Sequence, residues 1–158
     1  VQKLASCAAA FVALASPGAA AGGATAEQVR AYCARVGDDD RTRTIPPALA
    51  RAAIRLFGLA SEDVRQVERS TVRRCMDGAV LLCTVGANLS CSKADVSRVS
   101  KGVQAYCRVV PGSPIVPRAA TGHDTIHTWE CDGRAPRVKA AERFDERGFI
   151  ARNWRRLD

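Results

Sequence analysis

At 158 residues with 47% hydrophobic content, the chain has the length of one domain and enough apolar residues to bury a core, which excludes a disordered or fibrous protein. Its net charge of +8 is carried by 20 arginines and only 4 lysines, and guanidinium forks favour carboxylate and phosphate partners. None of the seven cysteines forms a C-x-x-C pair, which excludes closely spaced zinc ligands and a thioredoxin-type redox motif.

The first 21 residues carry one charge, Lys3, followed by an apolar run from Leu4 to Ala15, then Ser16-Pro17-Gly18 and Ala19-Ala20-Ala21. That is the layout of a removable signal peptide. Pro17 and Gly18 interrupt the run before it reaches the roughly 18 to 20 apolar residues of a membrane span. The expected organisation is a signal peptide at 1–21 and one disulfide-stabilised domain at 22–158, periplasmic or secreted, with no transmembrane span in the mature chain. Leu4-Ala5-Ser6-Cys7 also looks like a lipoprotein processing site, but its hydrophobic region follows the cysteine instead of preceding it.

Processing removes Lys3 and no acid, leaving +7, and removes Cys7, leaving Cys33, Cys75, Cys83, Cys91, Cys107 and Cys131. An even set in an exported chain predicts three disulfides, although six cysteines permit fifteen pairings. Cys83 with Cys91 is the expected local bridge, because Gly86 and Asn88 between them are turn formers.

Thr25 and Gln28 have capping-box spacing and predict the start of a helix. Val29, Tyr32, Cys33 and Val36 form its buried stripe, and Gly37 ends it. Asp38-Asp39-Asp40 with Arg41 and Arg43 reads as a solvated loop, since it lacks the alternating ligands of a calcium loop. Pro46 and Pro47 open a second helix that stops at Gly58.

From about Val67 the alternation turns β-like, and Asp77-Gly78 marks a hairpin whose return strand, Val80-Leu81-Leu82-Cys83, reads as central. Val96, Val99, Val103, Tyr106, Cys107 and Val110 recur at helical period, despite Gly102. Thr125 to Cys131 reads as a strand turning at Asp132-Gly133 into a return strand that Pro136 confines to an edge. Phe149, Ile150, Asn153, Trp154 and Leu157 have the spacing of a terminal helix. The expected fold is α+β, with about four helices packed on one small antiparallel sheet of two hairpins.

Ala31-Tyr32-Cys33 echoes Ala105-Tyr106-Cys107, and each is followed by a Cys, Asp-Gly hairpin. The Cys-to-Asp spacing differs by one residue, which would turn the two sulfurs to opposite faces if the registers agreed.

His123 and His127 lie on a β-like segment, where four residues span about 13 Å, too far for a shared metal. His123 with Asp124 is the candidate acid-base pair, and the ordinary role of such residues is to cap a turn. Trp129 shares a strand face with His127 and Cys131, the arrangement of core packing. Arg73 and Arg74 form a candidate anion-binding patch with Arg152, Arg155 and Arg156, provided the C-terminal segment packs near the first hairpin. No motif calls for a cofactor, and export takes the chain away from chromosomal nucleic acid.

Val85-Gly86-Ala87-Asn88-Leu89 followed by Cys91, Thr121-Gly122-His123-Asp124-Thr125-Ile126 and Arg147-Gly148-Phe149-Ile150-Ala151 together resemble an uncharacterised group of small exported bacterial proteins. The resemblance spans most of the mature chain and implies no activity. Trp129-Glu130-Cys131-Asp132-Gly133 is similar to a hairpin of bacterial membrane-bound lysozyme inhibitors, but it covers that hairpin alone. A basic chain would also be repelled by cationic lysozyme.

Two readings of function follow. The first is a non-catalytic envelope module that binds an anionic polymer, lipid or partner protein through arginines. The second is a small periplasmic hydrolase using His123 and Asp124. The first is preferred because no motif supplies a positioned nucleophile, base and orienter.

Overall fold

In the computed structural model, residues 23–59, 62–86 and 89–158 are described; the expected signal peptide with Cys7, and Ala87 and Asn88 of the Cys83 to Cys91 loop, lie outside them. The chain runs α1 (Ala26–Val36), β1 (Asp39–Thr44), α2 (Pro47–Phe57), α3 (Val64–Ser70), β2 (Thr71–Met76), β3 (Ala79–Thr84), α4 (Lys101–Val109), α5 (Arg118–Thr121), β4 (His127–Asp132) and β5 (Ala135–Ala141). A 3-10 turn (Ala151–Asn153) and β6 (Arg155–Leu157) complete it. The fold is α+β as expected, but the strands form two sheets: four antiparallel strands in the order β1-β2-β3-β6, and the separate pair β4-β5.

The expectation of one sheet built from two hairpins fails because both edges of the first hairpin are already taken. β1 covers β2, and β6 covers β3 with Leu157 opposite Val80 and Arg155 opposite Leu82. Neither strand is visible as such in the sequence. β1 is the acidic segment read as a loop, and β6 is the end of the segment read as a helix. Two further boundaries move. Val67 lies in α3, which Asp63 caps by accepting from the backbone N–H of Arg65 (2.7 Å) and Gln66 (3.3 Å). α4 begins only after Ser100, whose Oγ accepts from Val103 N, and leaves Val96 and Val99 53% and 70% exposed.

One face of the four-stranded sheet carries α1, α2 and α3. Val29, Leu49, Ala53, Val67, Val80 and Leu82 are buried there. The other face is covered by the C-terminal segment through Phe149 and Trp154, beside Cys83 and Cys91. A third cluster, Val103, Cys107, Val116, Trp129 and Cys131, forms between α4 and the β4-β5 hairpin. The disulfides are Cys33–Cys75, Cys83–Cys91 and Cys107–Cys131, so the local pairing read from the sequence is present.

The other two bridges disclose a repeated plan. In each half a helix bearing Tyr-Cys is followed by an extended segment, a helix capped by proline and a hairpin, and the helix cysteine bonds to the first hairpin strand. Ile45 N donates to Thr71 O (3.2 Å) before α2, as Val116 N donates to Trp129 O (2.8 Å) before α5. The register objection is removed by the turns. The first hairpin closes on Met76 opposite Ala79, around Asp77-Gly78 with φ of 52° and 72°, as a type I′ turn requires. The second closes on Asp132 opposite Ala135, so its turn is Gly133-Arg134, one residue later than expected. Cys75 and Cys131 therefore each stand one residue before the closing pair, and both face their helix.

Gly102 explains itself by a close approach. A Cβ there would lie 2.1 Å from the carbonyl oxygen of Ala120 at the end of α5. Helix propensity alone would make Gly102→Ala stabilising by about 1 kcal/mol; with α5 seated on α4 it is expected to destabilise by about 1–3 kcal/mol, the usual cost of overpacking. A fall in the urea midpoint checks this, and a rise would contradict the packing. Among the disulfides, replacing Cys33 and Cys75 by alanine is expected to cost about 1.5 kcal/mol more than replacing Cys83 and Cys91, from the loop-length entropy. The sequence separations are 42 and 8, and paired urea titrations of the two double variants measure the difference.

Candidate functional site

Four of the five arginines of the expected patch are brought to one sheet and then divided by it, and Arg152 lies in the 3-10 turn before β6. Because β6 pairs with β3, Arg73, Leu82 and Arg155 form one cross-strand row, and Arg74, Leu81 and Arg156 form the next. Adjacent rows face opposite sides of a sheet, so Arg73 and Arg155 lie on the helix-covered side and Arg74 and Arg156 on the other. Arg152, Arg155 and Arg156 are exposed, while Arg73 is half-buried. Burial, and then the charge of Arg43, push the Arg73 guanidinium below the ordinary arginine range.

Arg74 offers no surface to a ligand. It is 0% exposed, with its guanidinium carbon 4.2 Å from the Phe149 ring centroid and 4.6 Å from that of Trp154, and Nη2 paired to Asp145. Burial pushes its guanidinium down and Asp145 pushes it back up; arginine nevertheless stays protonated in proteins. Asp145 is fixed in turn by accepting from the backbone N–H of Arg147 and Phe149, each at 3.0 Å. The cluster is therefore a structural clamp holding the C-terminal segment on the sheet.

The acidic triplet is equally engaged. Asp39 accepts from Tyr32 Oη (2.5 Å), Arg43 Nη1 (2.7 Å) and Arg41 N (3.0 Å), and these bonds, in that order, hold its carboxyl at about 2. Asp40 takes a two-toothed contact from Arg147 (2.9 and 3.2 Å) and one from Lys93 (2.7 Å), which lower its carboxyl against the opposing effect of burial. Asp38 accepts from Asp77 N (2.9 Å), fastening β1 to the hairpin turn.

His123 is exposed and lies with Ser90, Ser92 and Thr42 around a hollow of about 390 Å³. The Asp124 carboxylate accepts a short hydrogen bond from Ser90 Oγ. In a hydrolytic triad the imidazole stands between hydroxyl and carboxylate; here the carboxylate takes the hydroxyl directly, and no described hydrogen bond orients His123. Ser90 Oγ also accepts from Ser92 N (3.0 Å), the geometry of a loop tie. His127 is buried edge-on to Trp129 at 5.6 Å, with Nε2 3.2 Å from Val96 O.

A cavity of about 610 Å³ opens between the end of α2, α3, the end of β3 and the 3-10 turn. Phe57, Leu59, Val67, Val85 and Leu89 supply its apolar wall, and Arg152, Arg155 and Glu62 its charges. Arg152 leans on Glu142 (2.7 Å) yet stays 60% exposed in its side chain. No described carboxylate lies within 4.0 Å of the Arg155 guanidinium. The sequence offered no signal for this wall, because each of its residues reads as ordinary core or loop within its own element.

Comparison with protein-family models, with curated proteins and with solved structures finds no match for this chain.

The depressed Asp39 and Asp40 carboxyls give a pH dependence of definite sign. Their contribution is present above the ordinary carboxylate range of about 4 and is lost as pH falls through the folded value, about 2 for Asp39. Between pH 5 and 2 the Tm of the native protein is expected to fall by several degrees more than that of Asp39→Asn. Equal falls in parallel thermal melts would exclude Asp39 as a source.

Proposed function

We propose that this protein is an exported, non-catalytic binding module of the cell envelope, taking an anionic lipid, polymer or partner protein through exposed arginines. The observation that carries the reading is the union of charge and shape at one place: Arg155, free of any described carboxylate, and Arg152 border the apolar cavity. Cavities of this size with a few convergent polar groups are the usual form of a small-ligand site. Three disulfides accord with work outside the cytoplasm.

The alternative reading, a hydrolase using His123 and Asp124, has one observation in its favour: His123 shares a hollow with two serines. It is the weaker reading because the Asp124 carboxylate is committed to Ser90, and no described hydrogen bond orients the imidazole.

On vesicles of phosphatidylglycerol and phosphatidylcholine, the protein is expected to sediment with the lipid at low salt and to be released as salt rises. Replacing Arg152 and Arg155 by alanine should weaken that partitioning by about thirtyfold, at about 1 kcal/mol for each arginine near an anionic surface. Retention indifferent to salt, or unchanged in the double variant, would remove the support for this reading.

A further inference from the structure

We propose that the cavity is a receptor for a single-chain amphiphile, one acyl chain ending in a carboxylate or phosphate. The inference rests on the binding-module reading and narrows its ligand class. The decisive observation is how the polar groups of the wall are spent. Ser70 Oγ donates to Gln66 O (2.9 Å), Thr84 Oγ1 pairs with Thr71 Oγ1 (3.0 Å), Gln66 Oε1 accepts from Arg69 (3.0 Å) and Asn153 Nδ2 donates to Ser90 O (2.9 Å). Among the described buried side-chain atoms without a partner, Asn153 Oδ1 is the one that belongs to this wall.

A sugar or peptide ligand needs a series of donors and acceptors along its length, because each polar group it buries unpaired is penalised. This wall spends most of its side-chain hydrogen-bonding groups on itself, so its interior suits hydrocarbon better than a ligand that is polar along its length. The apolar side chains are also incompletely covered: Val85 and Leu89 remain 53% and 42% exposed beside each other on the wall, which a chain lying in the cavity would shield from water. The charge arrangement sets the headgroup. Arg152 is already paired with Glu142, so Arg155, in no described ion pair, is the border cation left to set the headgroup, and a guanidinium fork takes a carboxylate or a phosphate in two-toothed fashion. The volume of about 610 Å³ is that of a small-molecule site, which favours one chain over the paired chains of a bilayer lipid.

The test is isothermal titration of the oxidised protein with octanoate, decanoate and dodecanoate, and with lysophosphatidates of the same chains, all below their micellar concentrations. Burial of the chain predicts that affinity rises about fourfold per added methylene until the cavity is full. The carboxylate and phosphate series tell the two headgroups apart. Arg155→Ala should weaken every member of the preferred series about tenfold and leave the chain-length slope intact, whereas Val85→Glu should abolish binding. Val85 lies at the surface, and thermal melts verify that the variant folds; the slope itself needs no variant.

Equal affinity for octanoate and dodecanoate, or no heat with any of them, overturns the proposal. If amphiphiles fail while salt-sensitive retention on anionic vesicles persists, only this inference falls. If both are absent, the binding-module reading falls with it.

Discussion

The guanidinium of Arg74 is enclosed on every side, and the placement of the C-terminal segment from Asp145 onward follows from how that charge is satisfied. Phe149 and Trp154 lie against it, Asp145 neutralises it, and Asp145 is itself held by the backbone of the turn leading to Phe149. Loss of one partner from a buried ion pair typically costs about 3–5 kcal/mol, a large part of the roughly 5–15 kcal/mol that stabilises a domain. Such a charge does not tolerate a loosely docked partner. Once residues 145–154 are fixed, β6 falls in register with β3, and Arg152, Asn153 and Arg155 come to rest in the cavity wall. The functional surface proposed for this protein is thus positioned by a residue that never touches it.

The two halves of the chain solve the same problem with one device. A helix and a hairpin are each too small to bury a full core alone, and a disulfide from the helix stripe to the hairpin locks their faces together. The halves then differ in what finishes the sheet. The first hairpin acquires β1 and β6 at its edges, whereas β5 is left as an edge strand bearing Pro136, Arg137 and Lys139, the composition that discourages further strand pairing. The asymmetry explains why the cavity belongs to the first half: its walls need α3 and the returning C-terminal strand, and the second half has no counterpart of either.

Part of the charge in this molecule is spent on holding the fold together. Asp38, Asp39 and Asp40 hold β1 to the hairpin turn, to α1 through Tyr32, and to the loop at Arg147. Glu130 and Glu142 occupy Arg137, Lys139, Arg118 and Arg152. The arginines in these ion pairs are not available to an external anion, whereas Arg155 is in no described ion pair. What sets Arg155 apart from the other unpaired arginines is its place on the border of the apolar cavity.

By itself the sequence determined whatever is decided within a few residues. The capping box of α1, the proline start and glycine stop of α2, the Asp77-Gly78 hairpin and the Cys83–Cys91 bridge all depend on local hydrogen bonds, backbone torsions and short loops, which leave their mark in adjacent residues. The tertiary structure alone decided the pairing of the other four cysteines, the conversion of an acidic stretch and a helix-like tail into edge strands, and the burial of Arg74. Each is settled by a partner far along the chain: Cys75 for Cys33, Leu82 for Arg155, Asp145 for Arg74. Hydrophobic spacing tells a segment which face to hide, but not which distant strand, ring or carboxylate will hide it.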